Sequence, residues 1–355
     1  MPRRVTMSDV AKKAGVHQTT VSLALRDHPR IPEATRLRIQ ETAREMGYRS
    51  NPFVSAFVAW RNRRGRARQA VLGYITADAP QHGGRGAIKT YSDLFEGARE
   101  RAEELGYGLE HFWLGDPRLT RQRFNQITST RYIHGLLLAP LTVHSITLDV
   151  EWDRFSVVAY GYSMQEPHVH RVYPDFYHGM IDAVRRCRAA GYQRVGLVLD
   201  ENTDRKSDHL WLSAYLMEQR LNPDAADIEP LLMRGWDEKA FAKWHARHRP
   251  QVILGLNVIL DAARRWAQDR GPAYARKLRF VQLNVTNPAA PDGMPGVLLD
   301  RRRVGAACVD QIVGMIHRNE KGVPTRAQHL LVESGWVDHE GIFAAGSAQL
   351  NGSHQ

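Results

Sequence analysis

The chain has 355 residues, a formal net charge of +11 and two cysteines. This length predicts two or three domains, with enough chain for a sizeable core. The positive charge is confined to one end, because residues 1–70 contain 15 Lys+Arg and 5 Asp+Glu, whereas the remaining 285 residues contain 34 and 33. A basic segment next to a nearly neutral body indicates a module that binds phosphate groups. It argues against a protein that binds non-specifically over its whole surface.

The cysteines and the apolar runs indicate the cellular compartment in which the protein works. Cys187 and Cys308 lie far apart, and neither their number nor their spacing suggests a disulfide framework or a zinc site. No apolar run approaches the roughly 20 residues of a membrane span. The first motif begins without a preceding secretory h-region. We therefore expect a protein of the reducing cytoplasm.

Three short helices are predicted at the N-terminal end. The first begins after Thr6, where Asp9 completes a pattern close to a capping box. Gly15 supplies the turn before a second helix from about Gln18 to Arg26, and the fixed φ of Pro32 opens the third. This arrangement is typical of the helix-turn-helix, whose second helix enters the major groove of DNA. The inward-facing residues are expected to be Val10, Ala11, Ala14, Val21, Ala24, Leu25, Leu37, Ile39, Ala43 and Met46.

Three motifs follow one another here at a fixed spacing without a gap. They are V-T-x-x-D-V-A-x-x-A-G-V at residues 5–16, T-V-S at 20–22 and G-Y-x-x-N-P at 47–52. Together they resemble the DNA-binding headpiece of the lactose/galactose repressor family. A generic three-helix bundle would explain the apolar spacing but not the polar residues between the apolar ones.

The start of the second helix is the expected base-reading surface. Gln18, Thr19 and Leu23 match the positions from which members of this family reach base edges. Gln can pair bidentately with adenine, and Leu or a Thr methyl can contact the thymine methyl. Position 23 departs from a common family pattern with Arg, which contacts guanine, so an operator sequence does not carry over from the family.

Other polar residues of the headpiece are candidates for contacts with the DNA backbone, which fix register but carry no sequence information. One of them, His17, stands where the family often has a Ser that caps the second helix. For each residue alone the alternative is a solvated surface position, but as a set on one basic face they favour phosphate. The candidates are Thr6, His17, Thr20, Ser22, Arg26, Arg30, Thr35, Tyr48 and Asn51.

Residues 51–69 are predicted to form a hinge helix and a basic linker. Apolar residues have helical spacing up to Trp60, but an isolated helix of this length is marginal in water. The family resemblance implies that the hinge orders when DNA or a partner subunit holds it. Phe57 matches the family's Leu wedge, which enters the minor groove and kinks the duplex. The alternative is that Phe57 packs against the partner hinge or the body.

After residue 70, predicted strands and helices alternate, which indicates βαβ units with parallel sheets. The strands are expected at 71–75, 107–113, 135–140, 156–161, 194–200, 228–233, 252–257, 279–284 and 328–333. The helices are expected at 93–105, 120–130, 182–190, 210–220, 237–248, 261–269 and 304–317.

The same family resemblance continues through this part of the chain. V-x-P-D-F-x-x-G at 172–179 is similar to the family's V-x-x-D-N-x-x-G crossover. It implies a body of the periplasmic-binding-protein type, with two doubly wound parallel-sheet subdomains, three crossovers and a ligand cleft between them. We place the N-subdomain at about 70–163 and 292–325 and the C-subdomain at about 164–291 and 326–345. The small, polar tail 346–355 is expected to be disordered.

Candidate effector contacts lie where predicted strands end, because open parallel sheets bind ligands outside the carboxyl ends of their strands. Asp78 follows the first strand and Tyr162 the fourth, and Asn257 and Asn284 end strands of the C-subdomain. The family commonly has Asp in place of Asn284, so a sugar effector does not follow from the resemblance alone.

Two tryptophans are further candidates. Trp236 and Trp211 could stack on a ligand, with a core or rim position as the alternative reading. The family often has Arg just before the helix that contains Trp211, whereas this chain has His209 and Leu210 nearby.

Two further patterns, a glycine cluster and a histidine pair, are only weak indications of a binding site. Glycines at 83, 84 and 86 are followed by no Lys-Ser/Thr pair, so a loop at the cleft is favoured over a phosphate cradle. His168 and His170 could share a strand face, but no third ligand is nearby, so surface histidines are favoured over a metal site.

The sequence predicts a bacterial sequence-specific transcription regulator, by resemblance a repressor, that binds a palindromic operator on double-stranded DNA as a homodimer. A small molecule in the cleft, with a carbohydrate as one candidate, is expected to change DNA affinity through the hinge. The alternative is a cytoplasmic small-molecule binding protein whose basic end is incidental. We expect neither an enzyme nor a cofactor, because no nucleophile–base pair, phosphate loop or metal set is evident.

Overall fold

The computed structural model describes residues 5–25, 30–46, 48, 70–76, 87–140, 150–164, 166–223, 226–289, 293–339 and 341–343, with the side chains of 87–91 excepted. The chain divides into two units, Met1–Ala67 and Arg68–Gln355, and each is described by itself. The predictions for the hinge with Phe57, for the tail, and for Arg26, Asn51 and Asp78 lie outside the described residues.

The headpiece contains the three predicted helices, α1 (Met7–Ala14), α2 (Gln18–Ala24) and α3 (Glu33–Glu45). Thr6 and Asp9 form the complete capping box that the sequence indicated. Gly15 ends α1 with a φ of 67°, a left-handed conformation that glycine adopts without steric cost. The second helix ends two residues earlier than predicted, at Ala24.

The headpiece core joins all three helices. Val10, Val21, Ala24 and Ile39 are completely buried. Leu37 was expected in this core, but its side chain is 57% exposed. The expectation was wrong because residues two apart on a helix point in different directions, and Ile39 holds the inward position.

The body contains two six-stranded sheets. The first, which defines the N-subdomain, has the strand order β11-β5-β4-β3-β1-β2, and all its neighbours are parallel. Its strands are β1 (Ala70–Thr76), β2 (Tyr107–Trp113), β3 (Gly135–Leu138), β4 (Ser156–Tyr160), β5 (His170–Pro174) and β11 (His329–Val332). Its helices are α4 (Ala87–Glu104), α5 (Arg121–Thr130) and α12 (Arg301–Arg318), with a 3₁₀ turn at Trp152–Arg154.

The second sheet defines the C-subdomain and has the order β12-β10-β9-β8-β6-β7, in which only the β10–β12 pair is antiparallel among the described strands. Its strands are β6 (Val195–Asp200), β7 (Leu231–Met233), β8 (Val252–Gly255), β9 (Arg279–Val285), β10 (Gly296–Leu298) and β12 (Gly335–Val337). Its helices are α6 (Phe176–Ala189), α7 (Glu201–Lys206), α8 (Leu210–Leu221), α9 (Glu238–His248), α10 (Asn257–Asp269) and α11 (Pro272–Ala275).

The chain crosses between the two sheets three times, after β5, after β10 and after β11, as the resemblance implied. The predicted subdomain boundaries were nevertheless wrong. Strand β5 belongs to the N-subdomain, where it lies between β4 and β11, although residues from 164 on were placed in the C-subdomain. The prediction returned the chain to the N-subdomain at residue 292. Strand β10 instead pairs with β9 in the C-subdomain, so the second crossover comes after β10. The missed strands are short or, in β5, contain His and Arg, which gives them no clear apolar pattern.

Each sheet has apolar layers on both faces, as parallel sheets require. In the N-subdomain α4 and α12 cover one face, and they pack unusually closely at two glycines. A Cβ at Gly97 would lie 2.1 Å from the Arg302 carbonyl oxygen, and a Cβ at Gly305 would lie 2.1 Å from the Leu94 carbonyl oxygen. The contact therefore depends on glycine in both helices.

None of the described helices combines the length and the apolar character that a membrane span needs.

Candidate DNA interface and ligand cleft

The first turn of α2 is fixed by its own cap. His17, the N-cap residue, accepts the Thr19 N–H at Nδ1 over 3.4 Å, and this nitrogen lies 2.8 Å from the Thr19 hydroxyl. A histidine thus takes the place of the Ser that often caps this helix in the resembling family. The amide contact requires the tautomer in which Nδ1 carries no proton.

The sides of α2 divide cleanly between core and solvent. Val21 and Ala24 are fully buried, while Gln18 and Thr19 are exposed and Leu23 is half-buried. The far end of the helix is also held, because Gln40 of α3 donates to the Ala24 carbonyl over 3.0 Å. Arg38, also of α3, donates to the Ala14 carbonyl at the end of α1 over 2.9 Å. The base-reading candidates therefore project from a helix whose orientation the core and α3 determine.

The candidates for backbone contacts differ in their exposure to solvent. The Thr6 hydroxyl donates to the Asp9 carboxylate over 2.6 Å, so this side chain serves the α1 cap. His17 and Arg30 are exposed. The half-buried candidates are Thr20, Ser22, Thr35 and Tyr48.

At the carboxyl ends of β8 and β9 the structure brings two predicted ligand residues together. The Asn257 backbone N–H donates to Asn284 Oδ1 over 3.2 Å, and Asn284 Nδ2 donates to Asn257 Oδ1 over 3.5 Å. Asn257 does not end a strand, as the sequence suggested, but begins α10, because β8 already ends at Gly255. The side chain of Asn257 is exposed and that of Asn284 is half-buried. Both amides are thus placed where a ligand could replace their mutual contact.

A carboxylate at the end of the adjacent strand β6 was missed as a site residue. Asp200 accepts the Thr203 N–H over 2.9 Å and the Gly235 N–H over 3.1 Å. Burial by itself raises the pKa of the Asp200 carboxyl, but these hydrogen bonds outweigh it and hold the pKa below its ordinary value. The sequence offered one signal for Asp200, its place directly after a buried strand.

The two tryptophan candidates have different surroundings. Trp236, next to Gly235, is half-buried and packs on Phe241 with ring centroids 4.9 Å apart. Trp211 is 2% exposed and lies against Phe176 with centroids 5.0 Å apart. The expectation that Trp211 contacts an effector is therefore wrong for this structure, because its ring fills the core of the C-subdomain.

Tyr162 lies in a cluster of the N-subdomain rather than beside the asparagine pair. Its hydroxyl donates to the Tyr173 hydroxyl and lies 3.5 Å from Nδ1 of His329. The Arg171 guanidinium is 5.9 Å from the centre of the Tyr162 ring. Burial, reinforced by the bond to Tyr173, raises the pKa of Tyr162, so its hydroxyl stays protonated.

His168 and His170, which the sequence offered as a possible metal site, contact other protein groups. His168 lies 3.4 Å from Glu166, and Nδ1 of His170 accepts the Gln328 N–H over 2.9 Å. Within the described ranges no three His, Cys, Asp or Glu side chains are grouped as metal ligands would be. The glycines at 83, 84 and 86 lie outside those ranges.

Comparisons with known proteins agree with this architecture. Residues 6–51 match the family model of bacterial regulatory proteins, lacI family. The HTH-type transcriptional regulator PtxS of Pseudomonas plecoglossicida is 24% identical over 313 residues, which cover 86% of this chain and 87% of that protein.

Two solved structures share the fold along nearly the whole chain. The complex of the transcriptional regulator CelR with cellobiose has a TM-score of 0.54 at 18% identity and covers 94% of this chain and 99% of that one. The lac repressor dimer bound to operator and the anti-inducer ONPF has a TM-score of 0.52 at 17% identity. The match covers 95% of this chain and 98% of that one. With a capped helix-turn-helix that matches the lacI family of bacterial regulatory proteins over residues 6–51, and a body of two crossed-over sheets, the chain is a DNA-binding transcriptional regulator similar to members of that family.

Proposed function

We propose that this regulator is a repressor whose operator affinity is controlled by a small molecule bound at the strand ends of the C-subdomain. The observation that carries the proposal is the division of α2, which buries Val21 and Ala24 and exposes Gln18 and Thr19. A helix held in this way can enter the major groove with its polar first turn towards the bases. We propose no catalytic role.

On the DNA side, Gln18, Thr19 and Leu23 are the proposed base-reading residues. The amide of Gln18 can pair with adenine, and the aliphatic Leu23 suits a thymine methyl. Non-specific affinity comes from the basic headpiece and linker, whose net charge over residues 1–70 is +10. The half-buried and exposed polar residues around α2 would set the register on the backbone. These are His17, Thr20, Ser22, Arg30, Thr35 and Tyr48, together with Arg26 and Asn51.

We further propose a palindromic operator bound by a homodimer, in which Phe57 of each protomer enters the minor groove. The lac repressor, whose fold this chain shares, is described as a dimer on its operator. An apolar wedge between base steps bends the duplex and allows more of the protein to contact it.

On the effector side, the proposed ligand is a neutral molecule rich in hydroxyl groups, with a carbohydrate as the first candidate. Asn257 and Asn284 each offer a donor and an acceptor, which is what hydroxyl groups require. The half-buried ring of Trp236 supplies an apolar surface, and the ionised Asp200 supplies a strong acceptor. CelR, which shares the fold, binds cellobiose. Asp78 and Tyr162 are proposed as contacts from the N-subdomain.

Control of DNA affinity requires the effector to bind two arrangements of the body with different affinity. A ligand that bridges the strand ends of both sheets would favour one arrangement, and the three crossovers are the points where that change can occur. We expect the protein to act in the cytoplasm, at the nucleoid when bound to its operator.

The experiment is selection of binding sites from random DNA with the full-length protein, followed by affinity measurements in the presence of mono- and disaccharides. A palindromic consensus, with at least one sugar that changes its affinity while leaving non-specific DNA unaffected, is the expected result. Enrichment of no sequence would contradict the regulator, whereas a consensus that responds to no sugar would contradict only the effector class.

A further inference from the structure

A cavity of about 420 Å³ lies at the end of the C-subdomain away from the asparagine pair. Its wall includes Arg279 and Phe280, the first two residues of β9, whereas Asn284 is five residues further along the same strand. At about 3.3 Å per residue the two places are roughly 16 Å apart. This cavity, which we call the arginine pocket, is therefore separate from the proposed effector site.

Three arginines line the arginine pocket, and they are Arg264, Arg276 and Arg279. None of the three side chains makes an ion pair or a hydrogen bond with another residue in the part of the chain that the structure describes. Elsewhere in the body arginines are neutralised in place, as where Arg185 and Arg188 both contact the buried carboxylate of Glu218.

The stretch of sequence that supplies most of the lining residues also carries an excess of positive charge. Residues 261–280 contain six Arg and Lys side chains but only two carboxylates, although the chain beyond residue 70 carries a net charge of only +1. Like charges held close together repel, and an anion between them removes that repulsion. The pocket thus has an electrostatic reason to bind a group with more than one negative charge.

The remaining wall is apolar. Phe280, Met294 and Phe343 line it, and Gln268 adds an amide. A volume of a few hundred cubic ångströms is the size of small-molecule sites in general, and these sites combine an apolar wall with a few polar groups. A bare inorganic ion would leave this wall without contacts.

From this combination we infer that the arginine pocket binds a phosphorylated small molecule that carries an apolar ring. A phosphate monoester is close to dianionic at neutral pH and accepts bidentate hydrogen bonds from guanidinium groups. The ring would lie against Phe280 and Met294. This site goes beyond the proposed function, because it would give the regulator a second ligand, of a different chemical class from the sugar.

Isothermal titration of the full-length protein, without DNA, tests the inference with four probes: AMP, adenosine, inorganic phosphate and citrate. We expect AMP to bind saturably and the other three to bind at least ten-fold more weakly. Raising the salt concentration should weaken AMP binding, because its charge is recognised at a partly exposed site. The absence of DNA makes the outcome independent of the repressor proposal.

Arg276→Gln and Arg279→Gln should each weaken AMP binding by roughly ten-fold or more, since each removes a charged hydrogen-bonding partner. Arg265→Gln is the matched control, because Arg265 is exposed on the same helix as Arg264 but does not line the pocket. Unchanged melting temperatures without ligand would show that the variants fold. Equal losses in Arg265→Gln, equal binding of citrate and AMP, or no saturable AMP binding would each overturn the inference.

Discussion

The close approach of α4 and α12 gives a prediction whose size can be worked from the structure. In Gly305→Ala the new methyl group would lie 2.1 Å from the Leu94 carbonyl oxygen and 2.9 Å from the Ala98 amide nitrogen. Carbon–oxygen contacts in proteins are ordinarily at least about 3.3 Å, so the helices would have to separate by about 1 Å. Both neighbours are backbone atoms, which cannot rotate away.

Overpacking of this kind costs about 1–3 kcal/mol or more, while replacing glycine by alanine within a helix returns about 1 kcal/mol. Because both neighbours are backbone atoms, we expect a cost in the upper half of this range, about 2–3 kcal/mol. The net loss is then about 1–2 kcal/mol, which for a body of this size lowers the melting temperature by roughly 2–8 °C.

The control is Gly314→Ala in the same helix, where the new methyl group meets only the end of the flexible Arg318 side chain, at 3.1 Å. This variant should be as stable as the parent or slightly more stable. Thermal unfolding followed by circular dichroism measures both variants. The reasoning is refuted if Gly305→Ala melts at or above the temperature of Gly314→Ala.

Three further predictions concern function. Leu23→Arg should change the selected operator sequence, with little change in non-specific affinity, because it adds a guanine contact worth about 1–3 kcal/mol of discrimination. Identical consensus sequences from parent and variant would show that residue 23 does not face the bases. Asn257→Ala should abolish the effector response and leave operator affinity without effector intact, as read by fluorescence anisotropy; an unchanged response would place the ligand elsewhere. Phe57→Ala should lower operator affinity and reduce DNA bending in a gel-mobility assay while non-specific binding stays the same; unaltered bending would rule out the wedge.

The sequence predicted the headpiece well because its signals are local. The capping box of Thr6 and Asp9 and the glycine turn lie within a few residues of the structure they determine. Leu37 shows the limit of this reasoning, because an apolar residue on a helix can face solvent when a neighbour two positions away takes the core. The cap by His17 was not foreseen, since His is not among the residues that usually fill that position.

In the body, the strand–helix alternation predicted parallel sheets and the family resemblance implied two of them, but strands β5, β10 and β12 were missed. Strands β10 and β12 have three residues each, which is too short for a periodic pattern. The asparagine pair was predicted only as two residues at strand ends, and pairing of β8 with β9 brought them together. Trp211 and Trp236 could not be distinguished, because packing against distant residues decides which ring is buried.

The most direct test of the central claim compares operator affinity for the full-length protein and for residues 70–355, over a range of salt concentrations. The fragment begins at Ala70, the first residue of β1, and so keeps the described strands and helices of the body. We expect specific binding only with the headpiece present, and a fall of log K against log salt with about −0.9 added for each phosphate neutralised. Operator binding by the fragment, or affinity of the full-length protein that does not change with salt, would contradict the assignment of DNA recognition to the basic headpiece.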